Sequence, residues 1–390
     1  MKKLGDLSIA DFLANYWQKK PVLIRNAFAG FTSPVEPDEI AGLSLEEDVE
    51  SRIILEDGPN HKWELLNGPF DESTFANLPK EKWTLLIQGA DHWVPELADI
   101  LALFDFVPSW RRDDLMVSFA PKGGSVGPHY DNYDVFLIQA QGQRKWQVGP
   151  KCNANTQTLD ETPLRILSEM TVDEEWVLNP GDMLYLPPLY AHNGVAQNDC
   201  MTFSIGFRAP SRADVLRSYT DYAGLDLAEE DRYSDSDLQD CSAQPALINE
   251  DAVTRVQDML LAAANDREQI KCWLATYMTE AKYPELFEEL EEPLEWDELA
   301  PALEEATHIV TNEMARLAYF HDEGETLLFA NGELLEGYQA EAAQLIETIA
   351  NQRHTQLDDL AHLLAADAAQ QALIDLFNAN LVYLDELEAE

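Results

Sequence analysis

The feature that most limits the fold of this chain is a series of short apolar runs between Pro21 and about residue 207. Each run ends at a turn rich in Gly, Pro, Asn or Asp. Many short strands with such turns favour a β-barrel or a β-sandwich over alternating β and α units. The runs are SRIILED, WELLNG, WTLLIQG, DLMVSFAP, DVFLIQA, RKWQVG, DMLYLPP and MTFSIGF. Before them, the pattern predicts a short helix from Asp11 to Trp17 and a strand at Val22–Ile24.

The pattern changes after residue 207. Residues 211 to about 275 have helical periodicity, as in AVTRVQDMLLAAANDREQI. The acidic stretch AEEDRYSDSDLQD interrupts this region. We therefore predict a helical second domain over residues 208–275.

The remaining residues, 276–390, predict a mixed domain. Two strands are predicted around RLAYFHDEGETLLFANGELLE, where Gly324 and Asn331-Gly332 mark turns. Two helices are predicted near 338–351 and 356–378. Helices with a short hairpin are the content of an α+β winged helix. The chain thus divides into three predicted domains, the first of which is mainly β and covers residues 1–207.

The charge of the chain is unusual, because 72 acidic and 26 basic residues give a net charge of −46. Residues 221–390 contain 40 acidic and 7 basic residues (net −33), and residues 1–220 contain the other 32 and 19 (net −13). Nucleic-acid affinity comes largely from Lys and Arg at phosphates, so we predict no direct nucleic-acid binding. A cationic protein is the partner that this charge favours. The acidic surface of a salt-adapted protein explains the charge equally well.

The sequence predicts a location away from membranes. No apolar run approaches the roughly 18 residues that a membrane span needs. The start, MKKLGD, lacks the apolar segment of a signal peptide. We therefore expect a soluble, cytoplasmic protein with no membrane partner.

A group of residues suited to metal binding begins in the run GPHYDNYDVFLIQAQGQRKWQVG. Residues two apart in an extended strand lie on one face, so His129 and Asp131 can both approach one metal ion. His192, in NPGDMLYLPPLYAHNGV, is the third ligand that we predict. Two histidines and one carboxylate form the triad that leaves coordination positions open on non-haem Fe(II). Such positions accept a cosubstrate and dioxygen.

Arg144 is predicted to point into the barrel. After a turn at Gly142, the alternation places Arg144 on the same face as the apolar Trp146 and Val148. A buried guanidinium needs an anion, and a carboxylate is a bidentate partner for it. A dicarboxylate that chelates iron through a 2-oxo acid end and reaches Arg144 with its other end is 2-oxoglutarate.

Each of these residues also has a structural explanation. A histidine in a strand is usually a core or surface residue, and an inward arginine can form a structural ion pair. A barrel that binds another metal, or none, fits the same residues. The combination of His129, Asp131, Arg144 and His192 favours the iron site over these alternatives.

Three long motifs carry a family resemblance: LMVSFAPKGGSVGPHYDNYDVFLIQAQGQRKWQVG, PGDMLYLPPLYAHNG and SIGFRAP. Their sequence and order resemble the JmjC-type ribosomal oxygenases of the cupin superfamily. The resemblance includes FLANYWQKKPVLIRNAF, EIAGL, LIQGADHW and YSDSD. It covers residues 1 to about 240 closely and the remainder by overall organisation.

The resemblance implies a fold and an activity. It implies a double-stranded β-helix (the JmjC/cupin jelly roll), then a helical dimerisation domain and a winged-helix domain, in a homodimer. The implied enzyme is an Fe(II)- and 2-oxoglutarate-dependent dioxygenase. Its implied substrate is a basic ribosomal protein, the sixteenth of the large subunit, hydroxylated on the β-carbon of an arginine.

The resemblance also implies roles for single residues. His129, Asp131 and His192 match the iron ligands, and Arg144 matches the residue that binds the distal carboxylate of 2-oxoglutarate. Ser118 matches a position that helps to hold this cosubstrate. Tyr133 is one candidate for lining the substrate channel.

Three other functions remain open at this point. One is a related oxygenase that acts on a histidine or on a methylated lysine. Another is a non-catalytic interaction protein that keeps the barrel as a scaffold, against which the four site residues argue. The third is a transcription factor that uses the winged helix, which the net charge of −33 in residues 221–390 disfavours.

Overall fold

The computed structural model describes residues 3–57, 62–160, 162–225, 227–239, 243–287, 290 and 292–385. Strands are β1 Lys3–Leu4, β2 Leu7–Ser8, β3 Val22–Ile24, β4 Ser51–Asp57, β5 Lys62–Asn67, β6 Trp83–Ile87, β7 Arg112–Ala120, β8 Val135–Gln141, β9 Arg144–Lys151, β10 Glu174–Leu178, β11 Met183–Leu186, β12 Tyr190–Ala196, β13 Cys200–Phe207, β14 His308–Thr311, β15 Leu317–Asp322, β16 Glu325–Ala330, β17 Glu333–Tyr338, β18 His354–Gln356 and β19 Val382–Asp385. Helices are α1 Ile9–Asn15, α2 Pro37–Leu43, α3 Glu72–Asn77, α4 Pro95–Ala102, α5 Arg212–Gly224, α6 Glu250–Asn265, α7 Arg267–Thr279, α8 Trp296–Glu305, α9 Ala340–Ala350, α10 Leu357–Leu360 and α11 Asp367–Asn378.

Two antiparallel sheets form the amino-terminal barrel. The larger has eight strands in the order β3-β11-β8-β13-β7-β6-β4-β5, and the smaller has three in the order β10-β9-β12. One apolar cluster joins the two sheets, with Leu137 and Leu184 from the larger and Trp146 and Leu178 from the smaller. A second, larger cluster packs the other face of the eight-stranded sheet against α1, α2 and α4. The mainly β prediction for this region is confirmed.

Strand β9 has the alternation that the sequence predicted. Arg144, Trp146 and Val148 are buried, whereas Lys145 and Gln147 are partly exposed. The turn before it needs glycine, because Gly142 has φ +63° and a Cβ there would lie 2.0 Å from the Asp199 carbonyl oxygen. This turn fixes the register that sends the Arg144 side chain inward.

The first helix begins two residues earlier than predicted. The prediction was Asp11 to Trp17, but α1 covers Ile9–Asn15. The reason is its N-cap, since the Ser8 side chain accepts a hydrogen bond from the Asp11 amide at 3.1 Å. Strand β3 lies at Val22–Ile24, as predicted.

The helical region contains α5, α6 and α7, and its own small core contains Tyr219, Ala223 and Trp273. Helix α6 has no buried residue. Within the described part of the chain, no helix has the length and apolar character needed to cross a membrane.

The carboxy-terminal region contains more elements than predicted, among them helix α8 and the sheet β18-β14-β19. The predicted pair of strands is a three-stranded sheet, because the chain turns again at Asn331-Gly332 and β17 pairs with β16. The predicted helix 356–378 is interrupted between α10 and α11. Ala366 is extended (φ −99°, ψ 130°) where a helix would continue, and Leu360 and Leu363 are both buried beside the break.

Three cations connect the carboxy-terminal region to the barrel. Lys282 Nζ lies 2.6 Å from Asp114 Oδ2, and Arg316 Nη2 lies 3.2 Å from Asp113 Oδ1. Arg353 Nε lies 2.5 Å from an oxygen of the α4 residue Asp99. Residues 276–390 contain no other Lys or Arg. Every Lys and Arg of this region therefore contacts the amino-terminal part of the molecule.

Candidate active site

The backbone brings the two predicted histidine ligands side by side. His129 lies in the loop between β7 and β8, and His192 lies in β12. Each amide donates to the carbonyl of the other residue, at 3.0 Å from His129 and 2.9 Å from His192. As a result, the centres of the two imidazole rings are 4.2 Å apart.

Asp131 completes the predicted group. Its carbonyl oxygen accepts a hydrogen bond from the Leu189 amide at 2.7 Å. Its carboxylate Oδ2 lies 3.5 Å from His192 Nε2. One ligand atom from each of His129, Asp131 and His192 falls within 4.8 Å of the others. The three side chains could therefore hold one metal ion.

The hydrogen bonds of the two rings assign their tautomers. His129 Nδ1 lies 2.8 Å from the Gly127 carbonyl oxygen, and His192 Nδ1 lies 2.9 Å from the Tyr190 carbonyl oxygen. A carbonyl only accepts, so each Nδ1 carries the proton and donates it. In the neutral rings, both Nε2 atoms keep a lone pair for a metal.

His192 is neutral at pH 7. Burial, and after it the neighbouring His129, lowers the pKa of His192 to about 4, although Asp131 acts in the opposite direction. Nε2 of the neutral His192 ring therefore has a lone pair 3.5 Å from Oδ2 of Asp131. Such a pair is stabilised by a cation, and two imidazoles with one carboxylate suit a divalent transition metal.

Arg144, in contrast to the metal-ligand atoms, needs an anion. Its side chain is buried, with 3% of the residue exposed, and neither Nε nor Nη2 has a hydrogen-bond partner among the described residues. The Trp146 Nε1 beside it is also buried and without a partner there. Unpaired buried donors are costly, above all on a charged group. These atoms therefore fit a ligand with negatively charged acceptor oxygens.

The strand opposite Arg144 leaves space on this interior face. Gly194 of β12 pairs with Trp146, and a Cβ at Gly194 would lie 2.7 Å from the indole ring. The ring of Trp146 lies between the two ends of the face. Its centre is 6.0 Å from the centre of the His192 ring and 5.8 Å from the guanidinium carbon of Arg144. Sequence reasoning missed Gly194, although it lies two residues after His192 and thus on the same face.

Ser118 is buried on the facing sheet. It pairs with Thr202 of β13, and its hydroxyl donates to the Thr202 carbonyl oxygen at 3.3 Å. Within the described residues, Ser118 forms no hydrogen bond with Arg144 or with the three convergent residues. The structure thus places Ser118 inside the barrel but does not join it to the other predicted residues.

Tyr133 lies at the mouth of the barrel with Asp114, which sequence reasoning missed. A Cβ at Gly206 would be 3.8 Å from both Asp114 Oδ1 and Tyr133 Cε2. Asp114 lies four residues before Ser118 in β7, so the period of two predicts the same face. Burial, and after it the charges of Asp131 and Asp114, raises the pKa of the Tyr133 hydroxyl, although 43% of the residue is exposed.

Asp114 is buried, with 3% of the residue exposed, and the protein anchors its Oδ2. Oδ2 accepts from Gln88 Nε2 at 2.6 Å, from the Gly89 amide at 2.9 Å and from Lys282 Nζ at 2.6 Å. Oδ1 lies on the side of Gly206 and the edge of Tyr133. A buried carboxylate oxygen therefore lies beside a partly exposed aromatic ring, which is an arrangement that attracts cations.

Comparison with known proteins assigns two parts of the chain. Residues 99–215 match the JmjC domain and residues 262–383 match the ROXA-like winged helix. The ribosomal protein uL16 3-hydroxylase of Escherichia coli K12 is 35% identical over 332 residues, covering 85% of this chain and 86% of that protein. A probable ribosomal oxygenase of Haemophilus influenzae is 46% identical over 208 residues, covering 53% of this chain and 50% of that protein.

Solved structures agree with these sequence relatives. The X-ray structure of E. coli ycfD has a TM-score of 0.86 at 30% identity, and the alignment covers 99% of this chain and 100% of that one. The structure of YcfD with cobalt and 2-oxoglutarate has a TM-score of 0.81 at 30% identity, and covers 98% and 99% of the two chains.

A jelly-roll barrel with two imidazoles, one carboxylate and an unpaired interior arginine defines the class of JmjC oxygenases. Within that class, the chain belongs to the ribosomal oxygenases, which pair a JmjC domain with a winged helix. The expected fold class and enzyme class, a 2-oxoglutarate-dependent dioxygenase, are confirmed.

Proposed function

We propose that this protein uses Fe(II), 2-oxoglutarate and dioxygen to hydroxylate the β-carbon of an arginine in the large-subunit ribosomal protein uL16. One observation supports this proposal most strongly. The interior face of β9 and β12 has convergent lone pairs at one end and the unpaired guanidinium of Arg144 at the other. A ligand that chelates a metal at one end and ends in a carboxylate meets both requirements.

The chain's own residues have distinct tasks in this proposal. His129, Asp131 and His192 would hold Fe(II), with the carbonyls of Gly127 and Tyr190 fixing the two rings. Arg144 would bind the distal carboxylate of 2-oxoglutarate, and Ser118 would line the same chamber. Bound iron and cosubstrate supply oxidation of a C–H bond by dioxygen, coupled to decarboxylation of 2-oxoglutarate. The protein positions the substrate and excludes competing reactions.

The residues at the mouth of the barrel are evidence for a cationic substrate. Asp114 Oδ1 and the ring of Tyr133 face the same point beside Gly206. A carboxylate can bind a guanidinium through paired hydrogen bonds, and the aromatic ring can stack on its plane. This chemistry fits an arginine, and the 35% identity to a uL16 3-hydroxylase favours that substrate over the histidine and methylated-lysine alternatives. The net charge of −46 would attract a basic ribosomal protein to this surface.

Three domains and a homodimer are part of the proposal. Separate apolar clusters support a division into three domains, proposed at 1–207, 208–275 and 276–390. Helix α7 extends to Thr279 and so crosses the second of these boundaries. The helical domain would form the dimer, because its large apolar side chains are exposed in the single chain, and such patches mark interfaces. These side chains are Leu216, Leu247, Ile248, Val253, Val256, Met259, Leu260 and Leu261. Light scattering at micromolar protein concentration tests this, and a monomer would contradict it.

The winged-helix region would not bind nucleic acid directly. Within residues 276–390, Lys282, Arg316 and Arg353 are the only Lys and Arg residues, and each contacts a carboxylate of the barrel region. No Lys or Arg of residues 276–390 is therefore left for phosphates. Salt-dependent binding of duplex DNA or RNA would contradict this part of the proposal.

Mass spectrometry of the substrate tests the proposal directly. Recombinant uL16 is incubated with the enzyme, Fe(II) and 2-oxoglutarate, and its intact mass and fragment masses are measured. The proposal predicts one added oxygen on an arginine, absent when 2-oxoglutarate is omitted. Succinate formation without any change in the mass of uL16 would reject this substrate, and no succinate with any basic ribosomal protein would reject the activity.

A further inference from the structure

We infer that residues 162–170, called here the buttress, position the metal-binding residues, and that Leu167 is the principal positioning residue of this segment. The buttress lies between β9 and β10 and contains none of the four proposed cofactor residues. This inference rests on the proposed Fe(II) site. It deepens that proposal by naming what holds the site in place.

Backbone hydrogen bonds connect the buttress and its neighbours to the loop that bears His129 and Asp131. The Leu167 amide donates to the Pro128 carbonyl oxygen at 2.7 Å. On the other side, the Leu189 amide donates to the Asp131 carbonyl oxygen, and the Leu189 carbonyl accepts from the Cys152 amide, both at 2.7 Å. The loop is thereby tied at two points that flank its proposed metal ligands.

The backbone of Leu189, which forms two of these hydrogen bonds, has an unusual conformation. It has a φ of +72°, a left-handed conformation that branched side chains rarely adopt. The two hydrogen bonds of its peptide groups hold it in this conformation. Such a backbone persists where the surrounding structure fixes it.

Side chains of the buttress pack behind the ligands. Leu167 and Met170 form a small apolar cluster with Cys152, Tyr130 and Ala191. Tyr130 lies between His129 and Asp131, and Ala191 directly precedes His192. Since neighbouring side chains of an extended segment point in opposite directions, this cluster supports both segments from the side away from the metal ligands.

Two further contacts of the buttress reach the same loop. Ile166 is buried against Gly127, where a Cβ would lie 3.0 Å from the Ile166 side chain. The carbonyl of Gly127 accepts from Nδ1 of His129. Arg165 Nη2 donates to the Tyr130 hydroxyl at 2.8 Å. Three consecutive buttress residues therefore contact three residues of the metal-bearing loop.

Groups that orient metal ligands affect metal affinity without touching the metal, typically about 10- to 100-fold. Leu167→Ala would leave the amide hydrogen bond intact but open a cavity behind both segments. We expect the dissociation constant for Co(II), titrated into the metal-free full-length protein and followed by absorbance, to rise about tenfold or more. Leu167→Met, which nearly conserves the volume, should restore it to within about threefold of wild type.

A matched control separates positioning from general destabilisation. Leu363 is as buried as Leu167 (4% and 3% exposed) but belongs to the carboxy-terminal core. Leu363→Ala should therefore destabilise the protein and leave the Co(II) dissociation constant within about threefold of wild type. Equal Co(II) affinity in Leu167→Ala and Leu363→Ala would overturn the inference.

A variant that does not fold and a wild-type protein that does not bind Co(II) would have different meanings. If Leu167→Ala fails to fold, Leu167→Val removes less volume and should still raise the dissociation constant by more than about threefold; an affinity within about threefold of wild type in that variant would overturn the inference. Failure of the wild-type protein to bind one Co(II), or undiminished binding by His129→Ala, would instead reject the proposed metal site itself.

Discussion

The two ends of the β9–β12 face are both polar, but they need ligands of opposite charge. At the His192 end, the Nδ1 protons are satisfied by the protein's own carbonyls, and the remaining lone pairs converge. At the Arg144 end, N–H donors remain without acceptors among the described residues. One end needs a cation and the other an anion. This difference is what identifies a ligand that spans both ends.

The two ends are also held in place by different interactions. The metal end is held by backbone hydrogen bonds between His129 and His192 and by the loop around them. The Arg144 end is held by strand register and by packing against Trp146. The protein therefore maintains, at one end, guanidinium donors without a partner among the described residues and, at the other end, a convergent group of metal-ligand atoms.

The largest expected effect comes from breaking the metal end. His129→Ala and Asp131→Ala should each lower kcat/KM for hydroxylation about 1,000-fold or more, because the lost metal contributes several kcal/mol to catalysis. Circular dichroism of the metal-free variants should remain that of the folded protein, since the core of the barrel is apolar. Hydroxylation by both variants at the wild-type rate would refute the site.

The pH dependence of stability tests the neutral state of His192. Its pKa is about 4 in the folded protein and 6.5 in the unfolded reference, so unfolded chains bind more protons between these values. Stability from this group is complete above pH 6.5 and is lost as the pH falls toward 4. We expect urea unfolding of the metal-free protein to lose about 2 kcal/mol from this group between pH 7 and pH 5.

His192→Asn removes the titrating ring and supplies the reference for that measurement. The stability difference between wild type and this variant should shrink by the same amount between pH 7 and pH 5. A difference independent of pH would mean that burial does not lower the pKa of His192, and a difference that grows as the pH falls would mean that the ring is protonated in the folded protein; either result would contradict the lone-pair description of this end.

The smallest expected effects compare neighbouring cations on opposite faces of β9. Arg144→Met removes an unpaired buried charge, so the metal-free protein should be as stable as wild type or more stable, by up to about 2 kcal/mol. Lys145 faces outward and pairs with Glu175 at 3.4 Å. Lys145→Met should change stability by less than about 0.5 kcal/mol. Urea unfolding measures both, and a marked loss of stability in Arg144→Met would show that its guanidinium is structurally paired.

The sequence was sufficient for features that depend on local periodicity. The alternation after Gly142 correctly placed Arg144 in the interior. The two-residue spacing of His129 and Asp131, with His192 soon after the run DMLYLPP, identified the group that the structure brings together. Strand β3 was also predicted at its observed position, and strand β11 lies within the predicted run DMLYLPP.

Features that depend on distant contacts were not predictable in this way. Asp114 is anchored by Lys282, which lies 168 residues away in the chain. The docking of Arg353 on α4 and the packing behind Tyr130 likewise join segments that no local pattern relates. The interruption between α10 and α11 follows from the burial of Leu360 and Leu363, not from helix propensity.

One titration tests most directly whether a single ligand serves both ends. The Co(II)-loaded protein is titrated calorimetrically with 2-oxoglutarate and with 2-oxobutyrate, which has no distal carboxylate, in wild type and in Arg144→Met. Hydrogen bonds to charged groups predict that wild type prefers 2-oxoglutarate by about 100-fold, and that the variant binds both acids with similar, weaker affinity. An undiminished preference for 2-oxoglutarate in Arg144→Met would contradict the account.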